Sequence, residues 1–164
     1  MKNLKLTLSV IVLLMVSAGL HAQANFAGTW ALNESKSNFG DSQFRMAATS
    51  LVVTQDAKVL TAESTRPGRD GGEMKTTAKY NLDGSVSENP GFMNTTSKST
   101  VAWSADKTSL TITTKMNFER DGQTQEFTTS QAWKLSEGGK VLLVENTMAT
   151  PNGDMKTTAA YDKK

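Results

Sequence analysis

Hydrophobic and polar residues alternate along most of the chain with a period of two. Between residues 108 and 118, Leu110, Ile112 and Met116 fall on one face in phase with Thr114 and Phe118, while the opposite face is polar. Residues 73–82 repeat this alternation. Such a pattern is typical of antiparallel strands with one buried and one solvated face. No segment after residue 24 shows sustained helical periodicity, so the pattern predicts an all-β fold.

The alternating segments are separated by Gly, Asp and Asn turns, several of which suit the positive φ angles of hairpins. Each predicted strand is joined to the next along the chain by a hairpin connection, so the predicted topology is an up-and-down meander. The ten predicted strands span residues 26–33, 46–55, 58–65, 73–82, 85–88, 94–104, 108–119, 124–135, 140–149 and 154–161.

An internal repeat supports this topology. The segment Gly72–Tyr80 (GEMKTTAKY) recurs as Gly153–Tyr161 (GDMKTTAAY). The repeating unit is a hairpin that is too small to bury its own apolar face, so copies must pair side by side. A long run of hairpins removes its exposed edges by closing into a barrel. A two-sheet β-sandwich is the alternative architecture.

The first 24 residues have the features of a secretory signal peptide. Lys2 and Lys5 precede the apolar run 6–20, and Ala22-Gln23-Ala24 is a small-x-small cleavage signature. The alternative is an uncleaved anchor, but the run is shorter than the ~20 residues of a spanning helix. We therefore predict a signal peptide over residues 1–24, a single domain over 25–164 without a membrane span, and a secreted or periplasmic location.

Removal of the signal peptide changes the charge and the available chemistry. Without Lys2 and Lys5, 16 Lys and Arg residues balance 16 Asp and Glu residues, which disfavours nucleic acid as a partner. The chain has no Cys, and its single His, His21, leaves with the signal peptide. Usual metal sites, thiol nucleophiles and histidine-based triads are thereby excluded. Glu63 and Glu145 have the outward phase of their strands, so we expect no catalytic site, no metal site and no cofactor.

The first predicted strand carries the pattern Phe26-x-Gly28-x-Trp30. This pattern resembles the first strand of lipocalins and, more widely, of the calycin superfamily, whose barrels of eight to ten strands include the fatty-acid-binding proteins and avidins. The resemblance implies that the meander closes into a lipocalin-like barrel. It also implies that Trp30 packs across the closed base while Gly28 permits close backbone approach. Lys134 is the nearest basic candidate for the late arginine that covers this tryptophan in lipocalins.

Alternating strand direction assigns the connections to two ends of the barrel. The three longest, residues 34–45, 66–72 and 89–93, fall at one end, which we interpret as the mouth. Arginine has a planar set of donors suited to carboxylate or phosphate. One hypothesis is that arginines at this rim bind the anionic head of an amphiphile; the alternative is that they neutralise nearby aspartates. The predicted mouth residues are Arg45, Arg66, Arg69, Arg120, Phe39 and Phe92.

Several polar residues share the inward phase with the apolar ones. A buried polar group without a partner costs about 1–3 kcal/mol, so these residues indicate a cavity that contains water or a ligand. Alternatively, part of the sheet is open to solvent or the register slips. The predicted interior ligand-binding residues are Thr76, Thr114, Thr129, Gln131, Asn146 and Tyr80.

These observations favour a binding protein over an enzyme. We predict an exported monomeric barrel that binds a small apolar or amphiphilic, anionic molecule. The alternative is a ligand-free β module with a structural or protein-interaction role in the cell envelope. A continuous cavity of ~300 Å³ or more, reached from the arginine end, would distinguish the first function from the second.

Overall fold

The computed structural model describes residues 23–40, 47–68, 71–91, 95–120, 123–150 and 153–164. Almost all of the regular structure in this part of the chain is β, with two single-turn 3₁₀ helices at Glu34–Lys36 and Glu137–Gly139. None of its helices is long and apolar enough to cross a membrane. The predicted all-β class is therefore confirmed.

Ten strands form one antiparallel sheet in which strands that follow one another in sequence pair, except β4 and β5, which are the two edges. They are β1 Gly28–Leu32, β2 Ser50–Gln55, β3 Val59–Pro67, β4 Glu73–Asn81, β5 Ser87–Pro90, β6 Thr96–Trp103, β7 Ser109–Arg120, β8 Gln123–Ser136, β9 Val141–Thr150 and β10 Gly153–Lys163. The order in the sheet is β4-β3-β2-β1-β10-β9-β8-β7-β6-β5. Because β1 pairs with β10, the meander curls into a nearly closed barrel, as predicted, rather than a sandwich.

The barrel closes between β4 and β5 through side chains instead of a strand ladder. Lys79 N donates to Asn89 Oδ1 at 2.7 Å, and Asn89 Nδ2 donates to Lys79 O at 2.9 Å. Asn81 N donates to Ser87 Oγ at 2.7 Å. The Asn89 carboxamide thus replaces one peptide group of the missing ladder.

The apolar core fills the base of the barrel. Phe26 is fully buried, stacks on Trp103 with ring centroids 6.1 Å apart, and meets Trp133 edge-on at 5.9 Å. Gln55 holds the backbone of this segment, because its Oε1 accepts from Phe26 N and its Nε2 donates to Ala24 O. The chain before β1 therefore closes the base.

The two ends of the barrel differ less in loop length than we predicted. By the bounds of the described strands, residues 33–49 form a long connection, while 68–72 and 91–95 at the mouth have the same length as 82–86 and 104–108 at the base. The reason is that the strands extend into the predicted loops. Arg66 belongs to β3, Asn89 to β5 and Arg120 to β7.

Candidate functional site

Two adjacent cavities lie inside the barrel above the core. The larger measures about 240 Å³ and the smaller about 80 Å³. Ala47, Arg66, Gln131 and Asn146 line both, so the two cavities meet at these residues. The interior is therefore a two-chambered space, with the larger chamber on the mouth side.

The strand register arranges the cavity wall in rows. Nearest the mouth, Met116 pairs with Phe127, and the next row pairs Met148 with both Thr129 and Met155. A polar row follows, in which Asn146 pairs with both Gln131 and Thr157. Below it, Val144 pairs with Trp133 and Ala159 in the core. A polar band thus separates the apolar core from a chamber lined by thioethers and an aromatic ring.

Arg66 is the charged residue of this space. Its side chain is half-buried on the inner face of β3, and its Nε atom is buried without a hydrogen-bond partner. Among the described residues its guanidinium forms no ion pair. A buried donor without a hydrogen-bond partner is unfavourable, and more so on a charged group. The structure therefore has an unsatisfied donor where the chambers meet.

Two tyrosines from the repeated segments face this arginine. Tyr80 on β4 and Tyr161 on β10 line the smaller chamber together with Arg66. Burial raises the pKa of Tyr161 to about 12, although the Arg66 charge and a hydrogen bond with the Ala48 backbone act in the opposite direction. Burial likewise raises the pKa of Tyr80, again against the effect of Arg66. A phenol whose pKa is 10.0 or higher is neutral near pH 7, so both tyrosines can donate to an anion.

The structure brings together part of the predicted site. Phe39, Arg66, Thr129, Gln131 and Asn146 line the larger chamber, and Tyr80 lines the smaller one. Thr114 lines neither chamber and shares a hydrogen bond with Ser99 at 2.9 Å. Thr76 is exposed on β4 and bonds Ser64 at 2.7 Å.

Other predicted mouth residues are not part of the described site. Arg45, Arg69 and Phe92 lie outside the described residues, and Arg120 is the last residue of β7. Arg66 is thus the arginine that the structure places at a cavity. Its side chain points into the barrel because residue 66 has the inward phase of β3. The prediction from the sequence did not use this phase, because it placed residue 66 in a loop.

Sequence reasoning missed several lining residues as ligand contacts. The alternation in the sequence assigned these residues to the inner face of the sheet. It does not distinguish inner-face residues that pack in the core from those that line a cavity. The missed residues are Ala47, Ser64, Met116, Phe127, Met148, Met155, Thr157 and Tyr161.

The base residues implied by the resemblance form one cluster. Trp30 is fully buried, and its Nε1 donates to Phe26 O at 2.9 Å. Lys163, rather than Lys134, covers the ring, with Nζ 5.3 Å from the centroid. Gly28 has φ +148°, and a Cβ there would lie 2.9 Å from Lys163 Cε. Gly28 therefore leaves the space through which Lys163 reaches the tryptophan.

Groups with obvious catalytic or metal chemistry do not gather in the part of the chain that the structure describes. Glu63 lies 3.8 Å from Lys75 on the outer face, and Glu145 is exposed. No cluster of three or more His, Asp or Glu residues suited to a metal ion occurs there. The interior polar groups are instead one guanidinium, two phenols, amides and hydroxyls, which suit non-covalent binding of an anion.

Comparison with known proteins supports the fold. No protein-family model matches the chain, and no curated protein sequence does. Among solved structures, the zebrafish ileal bile acid-binding protein complexed with cholic acid superposes with a TM-score of 0.54 at 15% sequence identity, over 85% of this chain and 98% of that one. The fold is therefore calycin-like, as the first strand had indicated.

Proposed function

We propose that this barrel binds a small amphiphilic carboxylic acid non-covalently, with the carboxylate at Arg66. The observation that carries the proposal is the unpaired Arg66 guanidinium at the meeting point of the two chambers. A carboxylate would supply the missing hydrogen bonds and neutralise the charge. The solved neighbour, which is complexed with cholic acid, adds support because that ligand is also an acid.

The proposed ligand enters with its head first. The hypothesis from the sequence placed the anionic head at the rim, but Arg66 reaches the smaller, more polar chamber beside Tyr80 and Tyr161. The apolar part would then lie nearer the mouth, among Met116, Phe127 and Met148. Methionine is flexible and polarisable, so this wall can adapt to tails of different shape.

Cavity size limits the ligand. The larger chamber, about 240 Å³, is below the ~300–1,000 Å³ common for drug-sized ligands. A water molecule occupies about 30 Å³ of liquid, and a methylene group is of similar size, so this chamber holds about eight carbon-sized groups. The smaller chamber, about 80 Å³, matches one carboxylate. We therefore expect a medium-chain acid to fit better than a fused-ring acid such as cholic acid.

Calorimetric titration with nonanoate and with a chain-length series from hexanoate to palmitate tests this proposal. Arg66→Gln should weaken nonanoate binding about tenfold or more, because a charge-assisted hydrogen bond contributes about 1.5–3 kcal/mol. Lys134→Gln removes an exposed positive charge on β8 and should leave the affinity unchanged. The proposal is wrong if Arg66→Gln binds nonanoate as tightly as the wild type, or if the wild type binds neither an acid of this series nor an acid of equal length with a polar group near its carboxyl.

The cavity also bears on the ligand-free alternative. A structural or interaction module has no need of an open interior, and its stability would benefit from dense packing. The two chambers meet at Arg66 and together reach ~300 Å³, the cavity size expected for the binding function, so with the unsatisfied Arg66 they favour that function over the alternative. Native mass spectrometry of the purified protein, followed by solvent extraction, would detect a retained ligand directly.

We further propose that the barrel is exported after cleavage behind Ala24 and acts as a monomer. The sequence pattern of residues 1–24 supports export. Phe26, which follows the proposed cleavage point, is buried and donates to Gln55, so cleavage would leave this part of the base in place. N-terminal sequencing of the secreted or periplasmic fraction should begin at Asn25. Recovery of uncleaved chain from the cytoplasm alone would contradict export, and size-exclusion chromatography tests the monomer.

A further inference from the structure

Two side-chain amides lie beside Arg66 at the meeting point of the chambers. Gln131 and Asn146 are direct partners in the β8–β9 ladder, and both line both chambers. Trp133 Nε1 donates to Gln131 Oε1 at 3.3 Å. Because an indole N–H can only donate, this contact orients the Gln131 carbonyl toward Trp133 and leaves Nε2 for the cavity.

The side-chain amides of Gln131 and Asn146 have donors and acceptors that form no hydrogen bonds within the described part of the chain. Within the described part of the chain, neither Gln131 Nε2 nor the Asn146 side chain has a hydrogen-bond partner. Together they present N–H donors from both amides and one carbonyl acceptor from Asn146. Thr157, the other ladder partner of Asn146, adds a hydroxyl to the same row. This row therefore suits a ligand group that both donates and accepts.

An unsubstituted alkyl acid would not use this row. With its carboxylate at Arg66, its first methylenes would lie against Gln131 and Asn146, because the apolar rows of Met116 and Met148 begin on the mouth side of these amides. Methylenes would shield the amides from water and offer them no hydrogen bond, which is unfavourable. The polar row thus disfavours a plain alkyl chain next to the carboxyl group.

We infer, on the basis of the proposed function, that the preferred ligand is an acid with a neutral donor–acceptor group close to its carboxyl, and that Gln131 and Asn146 determine this specificity. N-acyl amino acids and β-hydroxy acids have this chemistry. An amide carbonyl would accept from Gln131 Nε2 while its N–H donates to Asn146 Oδ1. A hydroxyl could make both bonds through one oxygen.

Three ligands of equal chain length test the inference: nonanoate, N-hexanoylglycine and β-hydroxynonanoate. Calorimetry with the wild type should show at least tenfold tighter binding of N-hexanoylglycine, of β-hydroxynonanoate or of both, relative to nonanoate. The two substituted acids distinguish an amide from a hydroxyl as the preferred group. The double variant Gln131→Leu/Asn146→Leu should lose this preference, whereas Asn117→Leu, which removes an exposed amide on β7, should keep it.

The outcomes separate this inference from the proposed function. If the wild type binds nonanoate as tightly as both substituted acids, the specificity inference is wrong while the binding function stands. If the double variant keeps the preference, the assignment to Gln131 and Asn146 is wrong. If none of the three acids binds, the proposed function fails. Should the double variant not fold, Asn146→Leu alone takes its place, with an expected reduction of the preference.

Discussion

Gly28 occupies a backbone conformation that side chains rarely adopt, and its neighbours explain why. Its φ is +148°, and Lys163 crosses the space that a Cβ would fill to reach the Trp30 ring. Trp30 in turn holds the chain before β1 through its bond to Phe26 O. The three residues therefore form one structural unit at the base, and each should affect stability in a different way.

Trp30→Ala should lower the free energy of unfolding by about 3–5 kcal/mol, because it removes a fully buried ring and leaves a cavity. Urea denaturation followed by circular dichroism measures the change. Val52→Ala, at an outward position of β2 that is 43% exposed, is the control and should cost far less. A loss below about 1 kcal/mol for Trp30→Ala would contradict its place in the core.

Gly28→Ala should lower the same free energy by about 1–3 kcal/mol, because alanine at φ +148° is strained. The close contact between the new Cβ and Lys163 Cε adds to this loss of stability. The lysine side chain is flexible and can reduce the clash by moving. Comparing Gly28→Ala with the double variant Gly28→Ala/Lys163→Ala separates the two. If the single variant is as stable as the wild type, the backbone at residue 28 does not require glycine.

At the scale of elements, the weak point of the barrel is the join between β4 and β5. β5 has only four residues, and Pro90 ends it without an N–H group. On the mouth side of this join, residues Glu73–Thr77 of β4 are exposed on both faces. Side-chain hydrogen bonds of Asn89, Ser87 and Asn81 therefore connect the two edge strands on the base side.

Asn89→Ala should lower the free energy of unfolding by about 1 kcal/mol or more, since both backbone groups of Lys79 lose a partly buried hydrogen-bond partner. Hydrogen exchange of the Lys79 amide should accelerate more than that of amides in the β7–β8 ladder. Asn117→Ala, an exposed amide on β7, should change neither quantity. Unchanged exchange at Lys79 would mean that water replaces the Asn89 carboxamide without loss.

Sequence periodicity predicted the elements better than it predicted the site. Period-two alternation and the Gly72–Tyr80 repeat are local, and they led to ten strands, a meander and a barrel. The site depends on distances across the barrel that no local pattern encodes. Gln131 and Asn146 were assigned correctly to the inner face, yet Thr76, with the same phase on β4, is exposed because β4 lacks a strand partner at that height.

At the scale of the whole molecule, the repeat has a consequence for the interior. Its two copies place Tyr80 on β4 and Tyr161 on β10, and the curvature of the sheet brings both to Arg66. Charge is therefore unevenly distributed in the described part of the chain, where Arg66 lies at the interior cavities and the carboxylates lie on the outer surface or in turns. The proposed binding of an anion inside this barrel would depend on that local charge rather than on the net charge.

Tyr161 makes the stability of the whole barrel dependent on alkaline pH. Its pKa is raised from 10.0 to about 12 in the folded chain, so between these values the unfolded chain releases a proton that the folded chain retains. The free energy of unfolding should therefore fall by about 1.4 kcal/mol per pH unit from pH 10 toward 12, in addition to other groups. Urea denaturation at several pH values should show a shallower decline for Tyr161→Phe, since phenylalanine does not ionise. Equal slopes for the two proteins would mean that the phenol is accessible to water in the folded state, and that the chamber beside Arg66 is open at its base.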